Sequence, residues 1–307
     1  MDSSSCPSAG ESSDDASRTQ LQVAQGRHKW RMYWRRLRRR PAALVGTGIF
    51  CVFLLLAVIG PYVAPYSAIE QNLDEALSAP SFDHPFGTDR YGRDILSRVI
   101  VGSRGVFLLG GMGTLIATVV GTALGLLSGY KGGLLDEVFM RGFDVLLSFP
   151  ALLLALVLLA TTPSSPLNLV LVVAILYTPV IARVARSVVL DVKTREFVEV
   201  ARMRGETSRG ILFREIMPNA YPPLLVEASM RFGYSIFMVA SLGFLGLGVQ
   251  PPSPDWGLQI NEGRDFFSLA PWVLVFPACA IALLIVGTNL MTDGLRHMLQ
   301  PGGGADA

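Results

Sequence analysis

Few side chains in this sequence could do chemistry, and most of the usual arrangements are missing. The three histidines, His28, His84 and His297, are scattered and form no metal-ligand set. Cys6, Cys51 and Cys279 make no CxxC pair, and two of them lie inside apolar runs, where a buried small hydrophobe is expected. The only lysines are Lys29, Lys131 and Lys193, and none follows a glycine. A G-x-x-x-x-G-K-[ST] loop is absent, so the chain lacks the usual phosphate-cradling ATP site. No Ser-His-Asp or HExxH arrangement points to hydrolysis. We expect no catalytic residue, cofactor or metal. The densest polar chemistry is His84-Pro85-Phe86-Gly87-Thr88-Asp89, followed by Gly92-Arg93-Asp94 and Ser97-Arg98. Asp89, Arg93 and Asp94 read as an interleaved, exposed ion-pair cluster, and the turn residues around His84 as the means of fixing a loop shape.

The elements that position these groups are apolar. Of 307 residues, 51% are hydrophobic and 16% charged, against about 25% charged in soluble proteins. The mean hydropathy is +0.45. The intervals 41–69, 105–130, 145–182, 232–254 and 266–292 contain no Asp, Glu, Lys or Arg. A bilayer crossing takes ~20 mainly apolar residues. The third interval is long enough for two and is broken by the turn signal Thr161–Pro166. Six spans result, near 42–60, 106–129, 143–161, 167–189, 223–247 and 271–293. Pro150, Pro179 and Pro277 fall within or near spans, where membranes tolerate them.

Ahead of the first span, residues 1–26 are rich in Ser, Asp, Gly and Gln and predict a disordered tail. Residues 27–40, RHKWRMYWRRLRRR, form a basic and aromatic flank. Its position beside a span favours a cytoplasmic membrane flank over a nucleic-acid arm. With that flank inside, the outer segments 61–104 and 249–270 carry more acids than arginines, in keeping with the positive-inside rule. Within the second span Gly121, Gly125 and Gly129 recur at every fourth residue, a stripe that lets another helix approach closely. Asp144, Arg183, Arg186, Glu227 and Arg231 fall near the inner boundary and read as structural, with Glu227 and Arg231 spaced to pair.

Between spans four and five lies a polar island, 195–219, REFVEVARMRGETSRGILFREIMPN. Phe197, Val200 and Ala201 fall at i, i+3, i+4 and predict one apolar face, with Glu196, Glu199 and Arg202 more exposed. Gly205 suits a left-handed helix cap. Thr207 or Ser208 caps a second helix, which Pro218 is expected to stop.

Glu199-Val200-Ala201, Gly205 and Ile216-Met217-Pro218-Asn219 resemble the EAA loop of binding-protein-dependent ABC importer permeases. Val200 stands where that family usually has Ala, and Met217 where it has Leu. The resemblance runs from about residue 35 to 301. It takes in the 84–98 motif, Gly129-Tyr130-Lys131-Gly132-Gly133 with Asp136, Met140-Arg141 and Asp144, and Phe244-Leu245-Gly246-Leu247-Gly248-Val249 with Pro251-Pro252 and Trp256-Gly257. Asp293-Gly294-Leu295-Arg296 completes it. These are similar to the C-type subunit of dipeptide/oligopeptide/nickel importers, with Val239 where that subfamily usually shows Glu. The resemblance implies an all-α integral membrane fold with six transmembrane helices, the type I ABC importer transmembrane domain. It implies a cytoplasmic coupling loop over 190–219, in which Phe197, Glu199, Val200, Ala201, Gly205, Ile216 and Pro218 meet an ATPase. His84, Pro85, Gly87, Asp89, Gly92, Arg93 and Asp94 become an extracytoplasmic loop motif.

The expected organisation is a tail over 1–26, then the basic flank with the first span and outer segment over 27–104. The transporter domain follows over 105–296, with a tail over 297–307. The implied partners are a second permease, two ABC ATPases, an extracytoplasmic solute-binding protein and the bilayer, with no nucleic acid. The implied solute is a di- or oligopeptide; nickel or another small solute remains open. An ion-coupled secondary transporter is the rival class, and it would predict inverted repeats and mid-span charges.

Overall fold

A computed structural model describes residues 40–299. The expected disordered tail over 1–26, nearly all of the basic flank and the last eight residues lie outside the described residues. Within them the regular structure is all helical, with nine α-helices of eight or more residues. They are α1 Pro41–Val63, α2 Ile95–Lys131, α3 Gly133–Ser148, α4 Ala151–Ala160, α5 Pro166–Val192, α6 Glu196–Met203, α7 Met217–Phe244, α8 Trp256–Gly263 and α9 Trp272–Leu299.

α1, α2, α5 and α9 are long and apolar enough to cross a membrane. The expected third span is not straight. It is split into α3 and α4, which meet at 89°, because Pro150 has no N–H to continue the ladder and holds Phe149 extended (φ −88°, ψ 140°). α3 carries Asp136, Glu137, Arg141 and Asp144, so the apolar part of this pair is α4, ten residues long. At ~1.5 Å per residue α4 reaches about half the hydrocarbon thickness. α7 is 28 residues long and carries Glu227 and Arg231 near its middle.

Close backbone approach organises the bundle. α2 and α5 pack along a stripe of small residues on α2, where glycines leave no room for a side chain. A methyl at Gly121 would stand 2.8 Å from the Thr178 carbonyl oxygen, and one at Gly129 3.0 Å from Val189 Cβ. At Gly125 it would collide with the Ala182 carbonyl and stand 2.6 Å from Ala185 Cβ. The stripe extends back through Ala117, fully buried, to Gly113, whose added methyl would meet Val173. α1 leans on α9 in the same manner at Gly46 and Gly287.

Three buried clusters follow from this arrangement. One joins α2, α4, α5 and α7 around Leu169, Val173, Ile181 and Leu242. A second joins the start of α2 to α7, α8 and α9 around Trp256, Ile236 and Leu284. The third lies at the far end of α2, around Leu126, Val189, Val198 and Ile211. Cys51 and Cys279 are exposed on α1 and α9, not buried as expected. Their apolar surroundings in sequence reflect the composition of spans whose outer faces are apolar as well.

Candidate functional site

α2 is 37 residues long, about 55 Å at 1.5 Å per residue. It is longer than the ~30 Å hydrocarbon layer, and a polar assembly sits at each end of it.

At the N-terminal end, residues 64–94 fold back over the start of α2 and meet α8. Asp94 caps α2 by accepting the Ser97 N–H at 2.7 Å. Arg93 donates from Nε to Asp89 Oδ2 and from Nη2 to Glu262 Oε2, both at 2.6 Å. Arg98 lies 3.7 Å from the same Asp89 oxygen and 3.5 Å from the same Glu262 oxygen, and donates to the Ala68 carbonyl at 3.1 Å. Two guanidinium groups and two carboxylates thus form a compact, charge-balanced square. The expectation of an exposed cluster is overturned: Asp89, Arg93 and Asp94 are only 2–3% exposed and Arg98 is fully buried. Glu262 is what covers and balances them, 169 residues along the chain from Arg93. The turns that bring the segment back need left-handed backbone at Gly87 (φ +73°) and Gly92 (φ +69°), and a side chain at Gly92 would strike the Asn72 backbone. Trp256 Nε1 ties α8 to α2 by donating to the Val99 carbonyl at 2.9 Å.

His84 completes this end. Its ring lies tilted with its centroid 4.7 Å from that of Tyr66, with Nδ1 2.9 Å from Asp94 Oδ1 and Nε2 3.2 Å from Glu75 Oε2. Carboxylates only accept, so both contacts are hydrogen bonds when the ring carries both protons. Burial pushes the His84 pKa down, but the bonds to Asp94 and Glu75 outweigh it and hold the pKa above the ordinary 6.5. The sign follows: the stabilisation is fully present below about pH 6.5 and is lost as pH rises through the raised folded value. Limited proteolysis of residues 64–94 is therefore expected to quicken as pH rises from 6 to 8.5, and His84→Gln is expected to flatten that dependence. An equal pH dependence in the variant would remove His84 from the account.

At the C-terminal end of α2 the polar island forms a small folded unit. α6 presents Val198 and Ala201 inward, at 0% and 4% exposure, against Ile211, Leu212 and Ile216. Phe197 and Val200 are 37% and 38% exposed and face away from that core. Ala201 therefore does not share an outward face with Phe197 and Val200, as the spacing suggested. The helix instead divides its apolar residues between an inner and an outer side. Glu196, Glu199 and Arg202 are exposed. Gly205 has φ +76°, and the Glu206 N–H closes back onto the Ala201 carbonyl at 3.2 Å. Thr207 Oγ1 accepts the Gly210 N–H at 3.2 Å.

Pro218 does not stop the second helix. The chain stays helical from Ser208 through Phe244, passing through a widened π-turn at Ile211–Ile216. Proline lacks an N–H and crowds the carbonyl four residues back. A turn bonded five residues apart, with the Met217 N–H reaching the Leu212 carbonyl, absorbs that defect just before the ring. The unit is tied to α2 by Lys193 Nζ, which donates to the Gly129 carbonyl at 2.9 Å, and by the Arg202 guanidinium over the Tyr130 ring. Ion pairs join α5 to α3, Arg186 to Asp136 at 2.6 Å and Arg183 to Asp144 at 2.5 Å, and Arg231 pairs with Glu227 within α7 at 2.7 Å.

Among the described residues no group of three or more His, Cys, Asp or Glu is placed to hold a metal. Sequence reasoning missed Glu262 and the inward role of Val198. A signal for the second was present, since Val198 and Ala201 also fall at i, i+3 and share a face.

A bundle of long apolar helices with a charge-locked cap at one end and a polar helical unit at the other defines a multi-pass membrane protein. The family follows from comparison with known proteins. Residues 121–302 match the model for binding-protein-dependent transport system inner membrane components, and residues 29–80 match that for the N-terminal TM domain of oligopeptide transport permease C. The chain belongs to the binding-protein-dependent transport system inner membrane component family, whose members are transport permeases and not ATPases. It is 38% identical over 272 residues to the dipeptide transport system permease protein DppC of Alkalihalophilus pseudofirmus, covering 89% of this chain and 90% of the relative. It is 42% identical over 277 residues to the glutathione transport system permease protein GsiD of Pectobacterium atrosepticum, covering 90% and 92%. The Escherichia coli GsiD is 41% identical over 278 residues, with the same coverage.

Proposed function

We propose that this chain is one of two permease subunits of an ATP-driven importer, and that the pair forms the path by which di- or oligopeptides cross the cytoplasmic membrane. The supporting observation is end-to-end similarity to permeases named for dipeptide and for glutathione, which is itself a short peptide. ATP hydrolysis is assigned to two separate ATPase subunits docked on the cytoplasmic side, and solute capture to a binding protein on the other. The chain itself is read as having no enzymatic activity. Six crossings then place both termini and the 190–219 unit in the cytoplasm, with α4 and α7 as the third and fifth.

In this reading the 190–219 unit is the coupling foot. Phe197 and Val200 are its outward apolar contact, flanked by Glu199, and the Gly205 cap sets the angle of α6. Val198, Ala201 and Ile216 keep the foot rigid. Because the helix runs on without a stop through Pro218 into α7, displacement of the foot is passed directly into a spanning helix. Two packings of the bundle, biased from one end by the ATPases and from the other by the loaded binding protein, are the two states of transport.

Vesicles holding the complete complex are expected to take up a labelled dipeptide only with ATP and binding protein present. Uptake driven by an ion gradient, with the ATPases omitted, would instead favour the secondary-transporter class.

A further inference from the structure

An apolar groove of about 510 Å³ runs between α2 and the helical stretch from Arg209 into α7. Val119, Ala123 and Leu127 form one wall, Leu212 and Leu225 the other, and Phe213 and Tyr221 stand exposed at its edge. Arg209 is the one charged residue lining it, and no Asp or Glu does. Arg209 is exposed and makes no ion pair among the described residues. Thr122 also lines the groove, and its hydroxyl makes no hydrogen bond.

The register along the groove is informative. Leu126 packs in the same cluster as Ile211 and Leu212, so Arg209 lies at the level of the end of α2. Thr122 lies about four residues deeper, ~6 Å at 1.5 Å per residue, and the Leu224–Ala228 wall is deeper still. Cation and hydrocarbon lining thus succeed one another with depth, matching the phosphate and acyl chain of a phospholipid.

We infer that this groove binds one acyl chain of an anionic phospholipid whose phosphate is held by Arg209. The preference for an anionic lipid follows from the lining, which offers a guanidinium for phosphate and no carboxylate for a choline or ethanolamine cation. The inference goes beyond the transport reading, which enters only in placing the site in the inner leaflet. Its consequence is a foot whose junction with the bundle is held partly by lipid.

The test uses the complete complex in nanodiscs, doped with phosphatidylglycerol or phosphatidylcholine carrying a photoreactive group midway along one acyl chain. Adducts are located by peptide mass spectrometry, a readout independent of uptake. Phosphatidylglycerol is expected to label residues 119–127 and 212–225 about fivefold more than phosphatidylcholine, the preference one surface arginine gives. Arg209→Glu is expected to erase the difference and Arg209→Lys to keep it, while Ala123→Phe, which fills the groove, should remove labelling by both lipids. Equal labelling by the two lipids in the unaltered protein would overturn the inference. So would absence of adducts at these residues, the result expected if a partner helix covers the groove; neither outcome depends on a variant folding.

Discussion

Replacing Arg93 with alanine is expected to destabilise the cap at the start of α2 by about 3–5 kcal/mol, the cost of removing one partner from a buried ionic group. The guanidinium satisfies Asp89 and Glu262 at 2.6 Å each, and both carboxylates are shut away from water. Arg98 cannot take over, because its nearest approaches to the same oxygens are 3.7 and 3.5 Å and its Nη1 is already committed to Ala68. Neutralising the orphaned acid should recover part of the loss, so Arg93→Met with Glu262→Leu is expected to lie well above Arg93→Ala in thermal unfolding of the purified complex. The segment over 64–94 should become protease-sensitive in the single variant first. A single variant as stable as the parent would mean that the square is not closed to water.

The second large effect is expected in the seam between α2 and α5. Gly125→Leu places four carbons where a single methyl already meets the Ala182 carbonyl and Ala185 Cβ. These neighbours are backbone and the shortest side chain, neither of which can swing aside. Overpacking of this kind ordinarily costs about 1–3 kcal/mol where a core can shift, and here the two helices must part along their length. We expect loss of the folded protein from the membrane, measured as monodisperse yield on gel filtration. Gly142→Ala is the control. It lies within α3 with nothing within 4 Å of the added methyl, and alanine exceeds glycine in helix propensity by about 1 kcal/mol. Unchanged or improved yield is expected there.

How much of this was legible in the residues depends on distance along the chain. The helical spans and the glycine stripe are written locally, in charge-free intervals and a four-residue repeat, and α1, α5 and α9 appear close to the expected positions. So does the Gly205 cap, since only glycine meets φ +76° without strain. The burial of Asp89 and Arg93 was not legible. Four charges in the six residues 89–94 look solvated until Glu262 arrives from the far side of the fold. Pro218 misled for the same kind of reason: the rule that proline ends a helix assumes a four-residue ladder, and the π-turn before it changes the spacing. Pro150 misled in the opposite direction, breaking a span that membrane packing was expected to keep whole. At the 190–219 unit the local period was read correctly but assigned to the wrong side, because two apolar stripes overlap in eight residues.

The account rests on Phe197 and Val200 meeting a cytoplasmic ATPase. In a version of the chain with Cys6, Cys51 and Cys279 replaced by serine, Val200→Cys measures this directly, by thiol crosslinking within the assembled complex and by labelling of intact cells with a membrane-impermeant maleimide. The account predicts a crosslink to an ATPase subunit and no labelling until the membrane is opened. Labelling at residue 200 from the outside of intact cells would contradict it.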